Sequence, residues 1–132
     1  MFYFGGIIEG KTMLELKTQG LKGVKVLNLS GRFVAHTAPQ VREWLLNAAQ
    51  KAPARVIVDL GGVNFLDSQA IGTLVQGMKR CREQGGDLYV CGLQQPVRVI
   101  FELMRLDMAF KIFENVEEAL DAFQHTESAV DA

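Results

Sequence analysis

The chain has 132 residues, 48% of them hydrophobic, and its 14 basic and 15 acidic side chains leave a formal charge of -1. That length suits one ordinary domain with a real core, and the near-even charge balance gives no basic stripe to neutralise a nucleic-acid backbone. The longest apolar stretches fall short of the roughly 20 residues a membrane span needs, and no positive charge precedes the apolar start Met1 to Ile8, so the expectation is a soluble cytoplasmic protein without membrane insertion.

Residues 1–12 read as a flexible N-terminal extension, with Met13 standing where the folded pattern begins. Met13 to Thr18 and Val24 to Leu29 alternate apolar with polar residues, and the glycines of Gln19-Gly20-Leu21-Lys22-Gly23 suit a turn between them, which predicts a β-hairpin. Thr37-Ala38-Pro39-Gln40 has capping-box spacing with proline in the first turn; Val41, Trp44, Leu45 and Ala48 then recur at helical spacing. Ala54 to Leu60 is a nearly continuous β-branched run ended by Gly61-Gly62, the pattern of a central strand buried on both faces.

After Val63 to Leu66, Asp67-Ser68 offers N-cap chemistry ahead of Ile71, Leu74, Val75 and Met78, a second helical stripe that runs toward Gln84 and stops at Gly85-Gly86. Asp87 to Cys91 reads as a strand, and Gln95-Pro96 opens a third helix with Val97, Ile100, Phe101 and Met104 on one face. Phe110 to Phe113 is a short final strand. Asn115 to Glu118 repeats the capping-box spacing before Val116, Ala119, Leu120 and Phe123, and residues 126–132 read as a frayed tail. Strands alternating with helices through short loops predict a single α/β domain over residues 13–125, with a mixed, mostly parallel sheet and about four flanking helices.

Gly5 to Thr12 fits the phosphate-loop pattern GxxxxGK[ST], and Val56-Ile57-Val58-Asp59 looks like the apolar strand that ends in a magnesium-binding aspartate. A phosphate cradle aims backbone N–H groups from a loop held between a strand and a helix. Only Met1 to Phe4 precede this loop and a strand-like segment follows, so neither flank fits and nucleotide binding through Gly5 to Thr12 stands as a remote alternative. Cys81 and Cys91 form no CxxC pair and have no nearby histidine, which predicts two reduced, partly buried thiols and no metal site. His36 and His125 stand in no spacing typical of a nucleophile or metal centre and read as solvent-exposed. No catalytic residue and no cofactor is expected.

Asp67-Ser68 is the informative position. It opens a helix, so the serine hydroxyl and the first backbone N–H groups lie on an exposed, electropositive helix end. The pair is either a simple N-cap, worth about 0.5–2 kcal/mol, or a recognition loop.

From about Met13 to Phe123 the chain resembles the anti-sigma factor antagonist family, whose domain is called STAS. The resemblance is carried by an ordered set: Leu29 to Phe33, Thr37-Ala38-Pro39, Val56 to Leu60, Asp67-Ser68-Gln69-Ala70-Ile71-Gly72, Gly86-Asp87-Leu88, and Val97 through Leu106. It implies a mixed sheet flanked by helices and a non-catalytic binding module, with Asp67, Ser68, Gln69, Ala70, Ile71 and Gly72 meeting an anti-sigma factor or serine-kinase-like regulator. In that scheme phosphorylation of a loop hydroxyl switches binding off by adding about −1.5 to −2 charges.

The family's loop usually reads Asp-Ser-Ser-Gly-Leu-Gly with phosphate on the second hydroxyl, but this chain has Gln69 there and Ala70 next. Where the family commonly has an aspartate close to that loop, this chain has Val34. The resemblance with these departures implies a binder without the phosphorylation switch; the alternative is that Ser68, the remaining hydroxyl, is the modified group. An accessory subunit of a transporter ATPase and a homo-oligomeric scaffold are further alternatives.

Overall fold

The computed structural model describes residues 2–6 and 14–131, and side chains from 14 to 126. Six strands form one sheet in sequential order: β1 (Phe2–Gly6), β2 (Leu14–Leu21), β3 (Val24–Phe33), β4 (Arg55–Leu66), β5 (Asp87–Cys91) and β6 (Ile112–Phe113). β1, β2 and β3 pair antiparallel, and β3 through β6 pair parallel. The helices are α1 (Ala38–Ala48), α2 (Ser68–Glu83), α3 (Gln95–Leu103) and α4 (Val116–Asp131), with a 3-10 turn at Leu106–Met108.

The hairpin expected between β2 and β3 is present, with a tighter turn than the glycine pattern suggested. Leu21 pairs with Val24, leaving Lys22 (φ 54) and Gly23 (φ 80) as the two turn residues. Positive φ at both matches the strands' right-handed twist. Gly20 is therefore a strand residue.

Each parallel connection joins neighbouring strands through one helix, and right-handed crossovers put α1, α2 and α3 on the same face. Val41 and Leu45 of α1, Leu74 and Met78 of α2, and Val97 and Phe101 of α3 pack there against Leu27, Leu29, Val56, Val58, Leu88 and Val90. The alternate strand residues Val26, Ile57, Tyr89 and Cys91 face the other way, where Ala119 and Phe123 of α4 cover them. Tyr89 and Phe123 stack with centroids 3.8 Å apart. Val56, Ile57 and Val58 are all fully buried, as a strand covered on both faces requires.

β4 does not stop at Gly61-Gly62, where the glycines suggest an end, but continues to Leu66. A Cβ on Gly62 would stand 2.8 Å from the Leu29 carbonyl oxygen and from Ser30, beside the shift in β3–β4 register between Asn28 and Ser30. The glycine marks a close strand approach at an irregularity rather than a terminus.

Three helix details also differ. Thr37 precedes α1 but makes no side-chain cap bond; its buried hydroxyl donates to the Arg32 carbonyl at 2.8 Å and accepts the Val34 N–H at 3.0 Å, knitting the β3–α1 turn instead. Met104 is 56% exposed, because α3 ends at Leu103 and helical spacing no longer directs the next side chain inward. α4 carries on past Thr126 to Asp131, in register with its preceding turn, where the Thr126 hydroxyl donates to the Ala122 carbonyl. At its start the capping chemistry is as expected: Asn115 Oδ1 accepts the Glu118 N–H at 2.9 Å.

Most of the phosphate-loop pattern, Ile7 to Thr12, lies outside the described residues, as does Met13. The strand β1 runs into the pattern's first two residues, Gly5 and Gly6, and the described segment beyond it is the strand β2 and no helix. Among the described residues no helix is long and apolar enough to cross a membrane.

Candidate partner-binding site

β4 delivers the chain to Asp67, and α2 begins at the next residue. Asp67 has extended backbone and acts as N-cap, its Oδ1 accepting the Ala70 N–H at 3.0 Å. Its other oxygen, Oδ2, accepts the N–H of Ala35 at 2.9 Å. The Asp67 N–H donates to the Phe33 carbonyl at 3.3 Å. One residue thus clamps the start of α2 to the β3–α1 turn.

Burial pushes the Asp67 carboxyl up, but the N–H groups of Ala70, Ala35, Gln69 and Asp67 itself outweigh it and hold the group below the ordinary aspartate range. The ionised form is stabilised by donors it fits. With both oxygens engaged, Asp67 is a structural clamp rather than a spare base.

The residues singled out from the sequence divide by exposure. Ser68, Gln69 and Gly72 are exposed, Ile71 is half-buried, and Ala70 is fully buried with its side chain in the core and its N–H held by Asp67. Val34 lies in the turn next to Ala35 and is half-buried, placing an apolar side chain beside the clamp. Among the described residues no side chain hydrogen-bonds the Ser68 hydroxyl, so no base is paired with it. The first turn of α2 contains no acidic residue, which leaves its positive dipole end uncompensated beyond the Asp67 cap.

Two neighbours went unrecognised in the sequence. Phe65, at the end of β4, is 41% exposed, and the Arg32 guanidinium lies 4.9 Å above its ring. The two are register partners across β3 and β4. Strand alternation from buried Val63 would turn Phe65 inward; the register shift between the pairs Gly31–Val63 and Arg32–Phe65 breaks that alternation and leaves both Asn64 and Phe65 exposed between buried Val63 and Leu66, which no local pattern announces.

The other candidates lie elsewhere. Cys81 and Cys91 are free, buried thiols; burial, with Asp87 nearby, pushes Cys81 up to about 11, and burial with Asp59 pushes Cys91 up to about 12. Neither has thiolate character at neutral pH. His36 and His125 are both exposed, the latter 3.3 Å from Asp121 one turn earlier.

The STAS domain family matches residues 15–119. An anti-sigma F factor antagonist of Paenibacillus polymyxa is 27% identical over 81% of this chain and 92% of its own length. An anti-sigma-B factor antagonist of Listeria monocytogenes is 29% identical over 79% of this chain and 90% of its own. Among solved structures, an anti-sigma-factor antagonist (STAS) domain protein from Planctomyces limnophilus superposes with a TM-score of 0.76 at 26% identity, covering 83% of this chain and 97% of that one. The family match runs from β2 to β6 and takes in the first three helices and the clamped start of α2, and so the chain belongs to the STAS domain family, as an anti-sigma factor antagonist-like member.

Proposed function

We propose that this protein acts by binding rather than by catalysis, seating an anti-sigma factor or a related serine-kinase-like regulator on the exposed first turns of α2. The observation that carries the proposal is Gly72. It is exposed inside a helix, a Cβ there would meet nothing within 4 Å, and glycine at such a position costs about 1 kcal/mol relative to alanine. The fold itself has no use for that gap. A partner approaching the bare backbone does, and Ser68 and Gln69 one turn earlier offer it a hydroxyl and an amide.

We further propose that binding is constitutive. Gln69 stands where the family resemblance implies a switching hydroxyl, and it presents a neutral amide at an electropositive helix start. Ser68 is the remaining hydroxyl and the group to watch.

The test is capture of purified serine-kinase-like regulators from the source organism by the wild type, Gln69→Ser and Gln69→Glu. Wild type and serine form are expected to bind, and the glutamate form to lose the partner because it brings an unpaired charge to the contact. Equal capture by all three moves the site elsewhere.

A further inference from the structure

The helical face of the molecule carries a groove that neither the clamp nor the core accounts for. Gly77 of α2 packs against Leu45 of α1 so closely that an added Cβ would stand 2.7 Å from Leu45 Cδ1. That contact packs α1 directly against α2. Above it, Leu46 is left 37% exposed, and two hollows meet at it: one of about 310 Å³ lined by Arg42, Leu46, Gln76, Lys79 and Arg80, the other of about 420 Å³ lined by Leu46, Ala49, Gln50, Arg80 and Gln84.

The charge here is one-sided. Arg42, Lys79 and Arg80 line the groove, and among the described residues none of them forms an ion pair. The nearest acids in sequence, Glu43 and Glu83, line neither hollow; Glu83 follows on the same face of α2, beyond the groove. The remaining polar lining consists of the neutral amides of Gln50, Gln76 and Gln84. Three cations that form no ion pair among the described residues surround an exposed leucine, with Glu83 one turn beyond, and in a chain of formal charge -1 they gather positive potential over an apolar spot.

That combination matches carboxylates arranged around an apolar side chain. A nucleic-acid backbone would satisfy the cations but has no apolar group to place against Leu46, and three cations neutralise few phosphates. A membrane surface supplies charge but no segment that enters a hollow. The groove is also continuous with the candidate site, since Gln69, Gly72, Gln76 and Lys79/Arg80 follow at steps of three and four on one exposed face of α2.

We infer that the α1–α2 groove receives an acidic amphipathic segment of the partner protein, its carboxylates meeting Arg42, Lys79 and Arg80 and an apolar side chain resting on Leu46. This rests on the reading of α2 as the partner-binding helix and names the chemistry the partner brings.

The test is an NMR titration of the isotope-labelled full chain with three probes: a synthetic helical peptide carrying leucines at i and i+4 among glutamates, the same peptide with lysine for every glutamate, and phosphatidylglycerol vesicles. The acidic peptide is expected to shift the amides of Arg42, Leu46, Gln76, Lys79 and Arg80, and to bind about tenfold more weakly to a Lys79→Gln/Arg80→Gln variant. The lysine peptide should leave the groove unchanged. No shift at the groove, an equal response to the lysine peptide, or unchanged affinity in the double variant overturns the inference. A response to vesicles alone assigns the face to a membrane, and concentration-dependent shifts without any probe assign it to a second copy; either also overturns it. Partner capture separates the two readings: loss with Gln69→Glu but not with Lys79→Gln/Arg80→Gln leaves the α2 site standing and removes the groove.

Discussion

The Asp67 carboxylate accepts the Ala35 N–H at 2.9 Å across 32 residues of sequence. That one bond ties the loop before α1 to the start of α2, while the second oxygen caps α2 itself. The candidate binding surface therefore rests on a fixed backbone, which lowers the ordering cost of association.

Replacing Asp67 by alanine removes the cap and leaves the Ala35 N–H without its acceptor. The expected destabilisation is about 1–2 kcal/mol, read by urea unfolding, with Ala35 and Ala70 amides exchanging faster with solvent. The carboxyl's pKa is lowered on folding, so its stabilisation is complete above the unfolded value near about 3.9 and disappears as pH falls through the lower folded value. The stability gap between wild type and Asp67→Asn should be constant near neutrality and shrink only in that acid window. A gap independent of pH down to the acid limit would mean that the ionised carboxylate is not the stabilising form.

Two glycine substitutions should act in opposite directions. Gly62→Ala forces a Cβ against the Leu29 carbonyl and Ser30 and is expected to cost about 1–3 kcal/mol. Gly72→Ala meets open space and should stabilise α2 by up to about 1 kcal/mol, as a higher thermal midpoint, while weakening partner capture. Gain of stability with full retention of binding would remove the argument from Gly72.

Phe123 stacks on Tyr89 and anchors α4 to its face of the sheet. Phe123→Ala is expected to cost about 3–5 kcal/mol, measured by denaturant unfolding. Partner binding on α2, on the opposite face of the sheet, should persist wherever the variant remains folded.

Phe65 under Arg32 has the make-up of an interface anchor, an exposed aromatic ring covered by a guanidinium. Phe65→Ala should change stability by less than about 1 kcal/mol, since the ring is partly solvated, yet reduce partner affinity tenfold or more. A calorimetric affinity equal to wild type would place Phe65 outside the contact.

Much of this was legible in the sequence because local chemistry and tertiary role agree. The β-branched run at Val56 to Val58 became the doubly covered strand, Asp67 became the cap of α2, and Asp87 to Cys91 became β5 residue for residue. Disagreement arose where a residue's usual meaning was overruled by its neighbours. Gly61-Gly62 resembles a strand stop, but extended glycines serve a close approach between β3 and β4, and the strand runs on to carry Phe65 into view. Thr37 has the letters of a capping box, yet the Arg32 carbonyl and Val34 N–H claim its hydroxyl. The bond from Asp67 to Ala35 joins distant segments and has no local signature. The groove at Leu46 likewise exists only once α1 and α2 are packed side by side.

The most direct test of the central claim is binding calorimetry between this protein and a serine-kinase-like regulator from its source organism, with and without prior incubation with ATP and magnesium, followed by intact mass. The account predicts the same affinity in both arms, no added phosphate, and loss of binding in Gln69→Glu. A stoichiometric phosphate that abolishes binding and disappears in Ser68→Ala would contradict it.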